Sequence, residues 1–304
     1  MRKDIYLIQL YEYVCKLYNE ELWIEVQRFS NNKQWHLQGM VDEELITIYL
    51  FCKIQEQRNT LKEMYDHIKY YWGSWFPKLP SYTAFATRLA GLSCALEAMA
   101  SLLCSRIGVP CLYGEPVALL GDSMPIITCS HKRNAKVSRE IVDKGYCASK
   151  SLYYFGVKLH AFAQESPKSL PRPQVLGVTP ATTHDLTAAR ELISGTANAE
   201  FFLDKAYCDT SLEEKARSNN SKIFTPHKTP PNSSNERKQR ERAYADLSTT
   251  AVATRRQPIE SLFAWLQNKT SIQKASKVRS TKGLYTHIFG CLAAAIICLF
   301  IFNP

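Results

Sequence analysis

Apolar residues recur at helical spacing over roughly the first hundred positions, and then the rhythm changes. From Ile5 to Tyr18 they fall at Ile5, Leu7, Ile8, Leu10, Tyr11 and Val14, close to the period of a helix with one buried face. Glu43 to Ile54 gives a second helix. Leu61 to Tyr71 gives a third, with Leu61, Met64, Tyr65, Ile68 and Tyr71 on one side. Two prolines make a loop of Trp75-Phe76-Pro77-Lys78-Leu79-Pro80. Ser81 is a good N-cap, and a long helix follows from Tyr82 to Leu103. This helix, connection and helix opening on Ser-Tyr-Thr is either a helix-turn-helix, with Tyr82, Thr83, Thr87 and Arg88 reaching DNA, or an ordinary helical hairpin.

From residue 116 the pattern reads as short strands and helices. Val117 to Leu120 is a strand ending at Asp122. Leu152 to Ala163 is rich in strand formers, and Gln174 to Val178 is another strand. Asp185 to Ile193 is helical; His184-Asp185 either assists metal or DNA positioning or supplies Asp185 as the N-cap of that helix. Glu200 to Leu203 is a short strand ending at Asp204, Ser211 to Arg217 is helical, and Lys222 to Thr225 is a strand. This order makes a mixed α/β domain. Pro258 suits the first turn of a helix that carries Glu260 and has Ile259, Leu262, Phe263 and Leu266 on its apolar face. Thr229 to Asn235 is a turn-rich linker and Glu236 to Arg242 is mostly charged, so residues 228–249 are expected as a basic insertion, either gripping DNA or forming a solvated loop. The partition is therefore a helical domain over 1–110 and an α/β domain over 111–304. Ile288 to Phe302 has 15 residues without a charge. That lies between the roughly 10–14 typical of a buried core helix and the roughly 20 of a bilayer span. Gly290, Ala293, Ala294 and Ala295 favour a terminal helix packed on the sheet over a membrane tail anchor, so no membrane partner is expected.

Composition sharpens the choice of partner. The chain has 304 residues, 45% of them apolar, and a formal net charge of +10. Residues 1–100 carry 11 basic and 12 acidic side chains, 101–221 carry 14 and 12, and 222–304 carry 13 and 4. The excess positive charge thus sits in the last quarter, which suits a polyanion held through counterion release. Ten cysteines, at 15, 52, 94, 104, 111, 129, 147, 208, 291 and 298, have no C-x₂-C spacing, and read as small buried hydrophobes in a reducing compartment. Met1-Arg2-Lys3-Asp4 lacks the apolar core of a signal peptide, so a cytoplasmic location is expected.

Asp122, Asp204 and Glu260 are the candidate chemistry. Two strand-borne carboxylates and one helix-borne carboxylate, with 81 residues between the first two and 55 between the last two, can hold two hard divalent cations. Two such ions about 3.5–4 Å apart clamp the attacking and leaving oxygens in phosphodiester chemistry. His131-Lys132-Arg133 either touches DNA backbone or is an exposed turn. Lys158 and His160 share one strand face, near the metals or merely solvated.

Five motifs in order then carry a resemblance: Gly121-Asp122-Ser123-Met124-Pro125-Ile126, Tyr154-Phe155-Gly156-Val157-Lys158-Leu159-His160, Val178-Thr179-Pro180-Ala181 with His184-Asp185, Leu203-Asp204-Lys205-Ala206-Tyr207, and Arg256 four residues before Glu260. From about residue 60 onward the chain resembles the DDE transposases of bacterial insertion sequences, and Leu79 to Phe85 resembles one subgroup of them. The resemblance implies a ribonuclease-H-like mixed sheet flanked by helices. It also implies Mg²⁺-dependent DNA transposition, with Mn²⁺ able to substitute. It implies catalytic, metal-binding roles for Asp122, Asp204 and Glu260, a double-stranded DNA partner comprising transposon terminal inverted repeats and target DNA, and action as a homodimer or larger assembly. In that scheme water cleaves the transposon end and the freed 3′-hydroxyl attacks target DNA. Tyr82, Thr83, Arg88, His131, Lys132, Arg133, Lys158, Arg255, Arg256 and Lys269 are the candidate DNA contacts. Many relatives carry a Tyr three residues before the Arg and a Lys seven after the Glu, where this chain has Ala253 and Gln267. A ribonuclease-H-like nuclease without strand transfer and a non-catalytic DNA-binding protein derived from a transposase are the alternatives.

Overall fold

The N-terminal segment is helical as the periodicity predicts, and side-chain caps start two of its helices. In the computed structural model, which describes residues 2–22, 39–108, 114–132, 137–147, 150–227 and 234–302, the helices of this segment are α1 (Lys3–Lys16), α2 (Asp42–Ile54), α3 (Leu61–Tyr71), α4 (Tyr82–Gly91) and α5 (Ser93–Ile107). Thr60 and Glu63 form a reciprocal capping box at α3, and the Ser81 hydroxyl accepts from Ala84 N at α4. The long helix expected from Tyr82 to Leu103 is instead two, bent by 52°. Leu92 N turns back to both Arg88 O and Leu89 O at 3.1 Å, just after Gly91, a poor helix former.

The chain falls into two compact units, each discontinuous in sequence. One comprises Met1–Leu103, Ile127–Glu140 and Leu266–Pro304; the other comprises Cys104–Ile126 and Ile141–Trp265.

The second unit is built on a six-stranded mixed sheet of β1 (Val117–Ser130, of which residues 117–126 belong to this unit), β2 (Asp143–Cys147), β3 (Leu152–Gln164), β4 (Arg172–Pro180), β5 (Ala199–Phe202) and β6 (Lys222–Phe224). β2 and β4 pair antiparallel with successive halves of β3. β3 lies beside β1, and β5 and β6 follow in parallel. α6 (Asp185–Ser194) packs on β4 and α7 (Thr210–Ser218) on β6. Leu119, Phe162, Phe201 and Leu203 form a buried core with Ala189, Ile193, Leu212 and Ala216 of those helices. The fold is α/β, a ribonuclease-H-like mixed sheet flanked by helices, with helices preceding the sheet in sequence. Of residues 228–249, expected as a basic insertion, 228–233 lie outside the described residues and 235–249 are the first turns of α8 (Asn235–Thr270), a 36-residue helix. Pro258 is therefore interior to that helix rather than in its first turn. It offers no N–H to the carbonyl one turn back.

In the first unit, α9 (Thr281–Ile296) packs on α2 and α4, not on the sheet as the small residues had suggested. Gly290 gives the reason: a Cβ there would run into the ring of the buried Tyr49 on α2. The Tyr49 hydroxyl donates to His287 O at 3.5 Å. Residues 281–301 are long and apolar enough to cross a membrane, but 72% of the best window is buried within the protein. Lys53 is 1% exposed, and its ammonium donates to Asn59 O and to Thr270 O, each at 3.2 Å. It thereby places positive charge on the C-terminal carbonyls of α8. His287 Nε2 lies 2.8 Å from Ile272 O. None of the nine cysteines among the described residues is in a disulfide.

Two predictions follow from this packing. A side chain on Gly121 would strike Leu203 and sit 2.5 Å from Phe162, so Gly121→Ala should lower stability by about 1–3 kcal/mol in urea unfolding. Burial, aided by the Lys53 charge, pushes the His287 imidazole down to about 3, against the pull of Ile272 O. Between an ordinary histidine value of about 6.5 and that depressed value, the unfolded chain takes up a proton that the folded chain does not. This contribution to stability is therefore present above pH 6.5 and lost as pH falls. The stability gap between wild type and His287→Gln should narrow by up to about 2 kcal/mol from pH 6.5 to 5, at about 1.4 kcal/mol per pH unit, read as paired urea midpoints.

Candidate active site

The sheet itself brings the two aspartates together. β1 and β5 run parallel in the register Leu119↔Phe201 and Leu120↔Phe202. Asp122 lies two residues past the last pair on one strand and Asp204 two past it on the other. Adjacent strands lie about 4.8 Å apart and side chains alternate between faces. Gly121, Phe162 and Leu203 meet on the face covered by α6 and α7, so Asp122 and Asp204, one residue on, turn to the opposite face. The strand expected to end at Asp122 in fact continues to Ser130; what ends there is its pairing with β5.

Glu260 comes from α8. It is tied in by Arg256, whose position is legible in the chain but whose contact with Asp122 is not. One Arg256 terminal nitrogen lies 2.8 Å from Asp122 Oδ2, and the other lies 2.7 Å from Glu260 Oε1. The spacing of Arg256 and Glu260, one helical turn apart on one face, was the available signal. Asp122 Oδ1 accepts from Ser123 N at 2.8 Å, and Asp204 Oδ1 from Lys205 N at 2.6 Å. Asp204 and Glu260 are exposed, whereas Arg256 keeps only 16% of its side chain in solvent. Burial raises Asp122 to about 6; the Ser123 N–H and Arg256 pull it down, and the Asp204 and Glu260 charges push it up. Burial works against charge on Arg256, but Asp122, Glu260 and Asp204 outweigh it and hold the guanidinium more firmly protonated. Tyr207, buried beneath, is raised by burial and by the Asp185, Asp122 and Asp204 charges.

Three converging carboxylates of hard oxygen chemistry, two of them open to solvent, suit divalent cations such as Mg²⁺. Among the described residues no three acidic, histidine or cysteine side chains already close on one metal-sized point. Arg256 stands between two of the three carboxylates. The residues fit the ions in kind and charge.

The other candidate residues divide into tethered and exposed groups. Lys158 pairs with Asp185 at 2.9 Å and donates to Thr183 O, and the buried His160 meets Thr179 at 2.8 Å. Both alternate with Val157 and Leu159 onto the same face as Phe162, away from Asp122. His184, not Asp185, caps α6. Arg255 pairs with Glu165 at 2.9 Å and lies 4.2 Å from the Phe202 ring centre. Arg88 binds Asp42 and Met40 O, and the Tyr82 ring packs against Tyr65. Residues 72–81 join α3 to α4, a longer connection than the 3–4-residue turn common in helix-turn-helix motifs. Thr83, His131, Lys132 and Lys269 are exposed, and Arg133 lies outside the described residues. Gln267, where relatives carry lysine, accepts from Gln273 N at 2.9 Å and secures the turn after α8.

One comparison with known proteins finds a match. The family model described as transposase DDE domain matches residues 113–297, more than half of the chain. No curated protein and no solved structure matches. The strand order, the paired aspartates and this match together place the chain in the DDE transposase family.

Proposed function

We propose that this chain is a metal-dependent DNA transposase that cuts at transposon ends and joins the freed ends to target DNA. The observation that carries the reading is the equal offset of Asp122 and Asp204 beyond the Leu120↔Phe202 pair, with Glu260 drawn to Asp122 through Arg256. Asp122, Asp204 and Glu260 would hold two Mg²⁺, or Mn²⁺ in their place. When bound, such ions supply charge neutralisation at the scissile phosphate and an activated oxygen nucleophile. The protein's share is positional: parallel strands fix the two aspartates, the i,i+4 pair fixes Glu260 on its helix, and the Ser123 and Lys205 amides orient the aspartate carboxylates.

The substrate in this reading is double-stranded DNA, both the terminal inverted repeats and the target, worked on by a homodimer or larger assembly in the bacterial cytoplasm. Thr83, His131, Lys132 and Lys269 are the exposed candidates for phosphate contact, with residues 1–110 acting as a helical DNA-contacting domain and 111–304 as the catalytic one. The +9 charge of residues 222–304, from 13 basic and 4 acidic side chains, favours such a polyanion and makes binding weaken steeply with salt.

Asp122→Asn, Asp204→Asn and Glu260→Gln should each slow Mg²⁺-dependent cleavage of a duplex carrying the DNA that flanks the gene by at least about a thousandfold, since several kcal/mol of charge stabilisation is lost. DNA binding measured by gel shift should persist. Full cleavage by any of the three variants would remove the assignment. Supplying precut ends with a supercoiled plasmid separates the activities: joined products are expected, whereas cleavage without joining would identify a nuclease, and neither would identify a DNA-binding protein without catalysis.

A further inference from the structure

Arg256 occupies the place where a cation is wanted. Its guanidinium spans two of the three carboxylates, 2.8 Å from Asp122 and 2.7 Å from Glu260, and is largely withdrawn from solvent. A planar fork of donors can bridge two carboxylates in a way that a point charge cannot. Neither oxygen of Asp122 is idle: Oδ1 takes the Ser123 amide and Oδ2 takes Arg256. A divalent ion using both Asp122 and Glu260 must therefore take oxygens that Arg256 now holds, or approach the remaining ones against a fixed positive charge. The contact has a second effect, because without some cation three converging negative charges would push Glu260 away from the sheet.

We propose that Arg256 is a place-holding cation. In the DNA-free chain it positions Asp122 and Glu260 and competes with divalent metal, which binds only as the guanidinium leaves at least one of them. This rests on the reading of the three carboxylates as the metal site. Arg256 acts through the carboxylates and is thus a positioning residue, which sets the metal concentration at which the site fills.

The test is a titration of the full-length chain, without DNA, with Mn²⁺ while free ion is followed by electron paramagnetic resonance. Arg256→Gln should bind Mn²⁺ at least about tenfold more tightly than wild type, the ratio that loss of one charge-assisted hydrogen bond represents. Arg256→Lys, which keeps the charge but cannot bridge, should fall between them, and Asp122→Asn should lose the binding. Circular dichroism and thermal unfolding establish that each variant is folded. If Arg256→Gln does not fold, Arg256→Lys decides: tighter binding supports the competition and unchanged binding overturns it. Unchanged or weaker binding in a folded Arg256→Gln also overturns it. If Asp122→Asn abolishes binding while the Arg256 variants match wild type, only the place-holder fails. If Asp122→Asn binds Mn²⁺ as wild type does, the metal-site reading falls and the place-holder with it.

Discussion

The parallel pairing of β1 with β5 is the constraint on which the site depends. Parallel neighbours keep residues of equal offset side by side, so one register fixes both aspartates without any loop having to find its place. The same alternation that points Asp122 and Asp204 to one face points Gly121 and Leu203 to the other, where Phe162 leaves no room for a larger side chain. The core and the site are consequently two sides of one strand pair. Repacking the first moves the second.

Electrostatics explains why the third carboxylate needs help. Burial already disfavours charge on Asp122, and each added carboxylate disfavours it further. Arg256 answers both, and it does so from the helix that also carries Glu260, so a single turn of α8 supplies the acid and its counterion. Arg255, the neighbouring residue, points elsewhere. Its stacking on Phe202 and its pair with Glu165 fasten the same helix to the sheet within this unit.

Much of this was legible in the sequence, for reasons that can be named. Asp122 and Asp204 were legible because a short apolar run that ends in a carboxylate is a local pattern, as was α3, whose Leu61, Met64, Tyr65 and Ile68 recur at helical spacing. Features that depend on long-range contacts were not. β2, with its small and polar Asp143-Lys144-Gly145, becomes a strand only through pairing with β3. The start of α8 was hidden because its charged, helix-forming residues carry no apolar stripe, and Pro258 looked like a beginning when it lies inside. The partner of α9 could not be read from its alanines and glycine, since any close-packed surface would suit them. Tyr49, far away in sequence, decided it. Lys158, Arg88 and Arg255 looked like DNA contacts because a basic residue in a one-dimensional reading has no visible counterion; each has one in the fold.

The contact of Tyr49 with Cys291, separated by 242 positions, also has a meaning in time. A ribosome adding about 5–20 residues per second needs on the order of 12–50 s to travel from one to the other. Throughout that interval the apolar side of α2 exists without the helix that covers it, and for all but its last 21 residues Lys53 is without the Thr270 carbonyl that receives its charge. The nascent chain is thus exposed to chaperones and to aggregation until α9 emerges, which makes the arrival of α9 the event that closes the first unit.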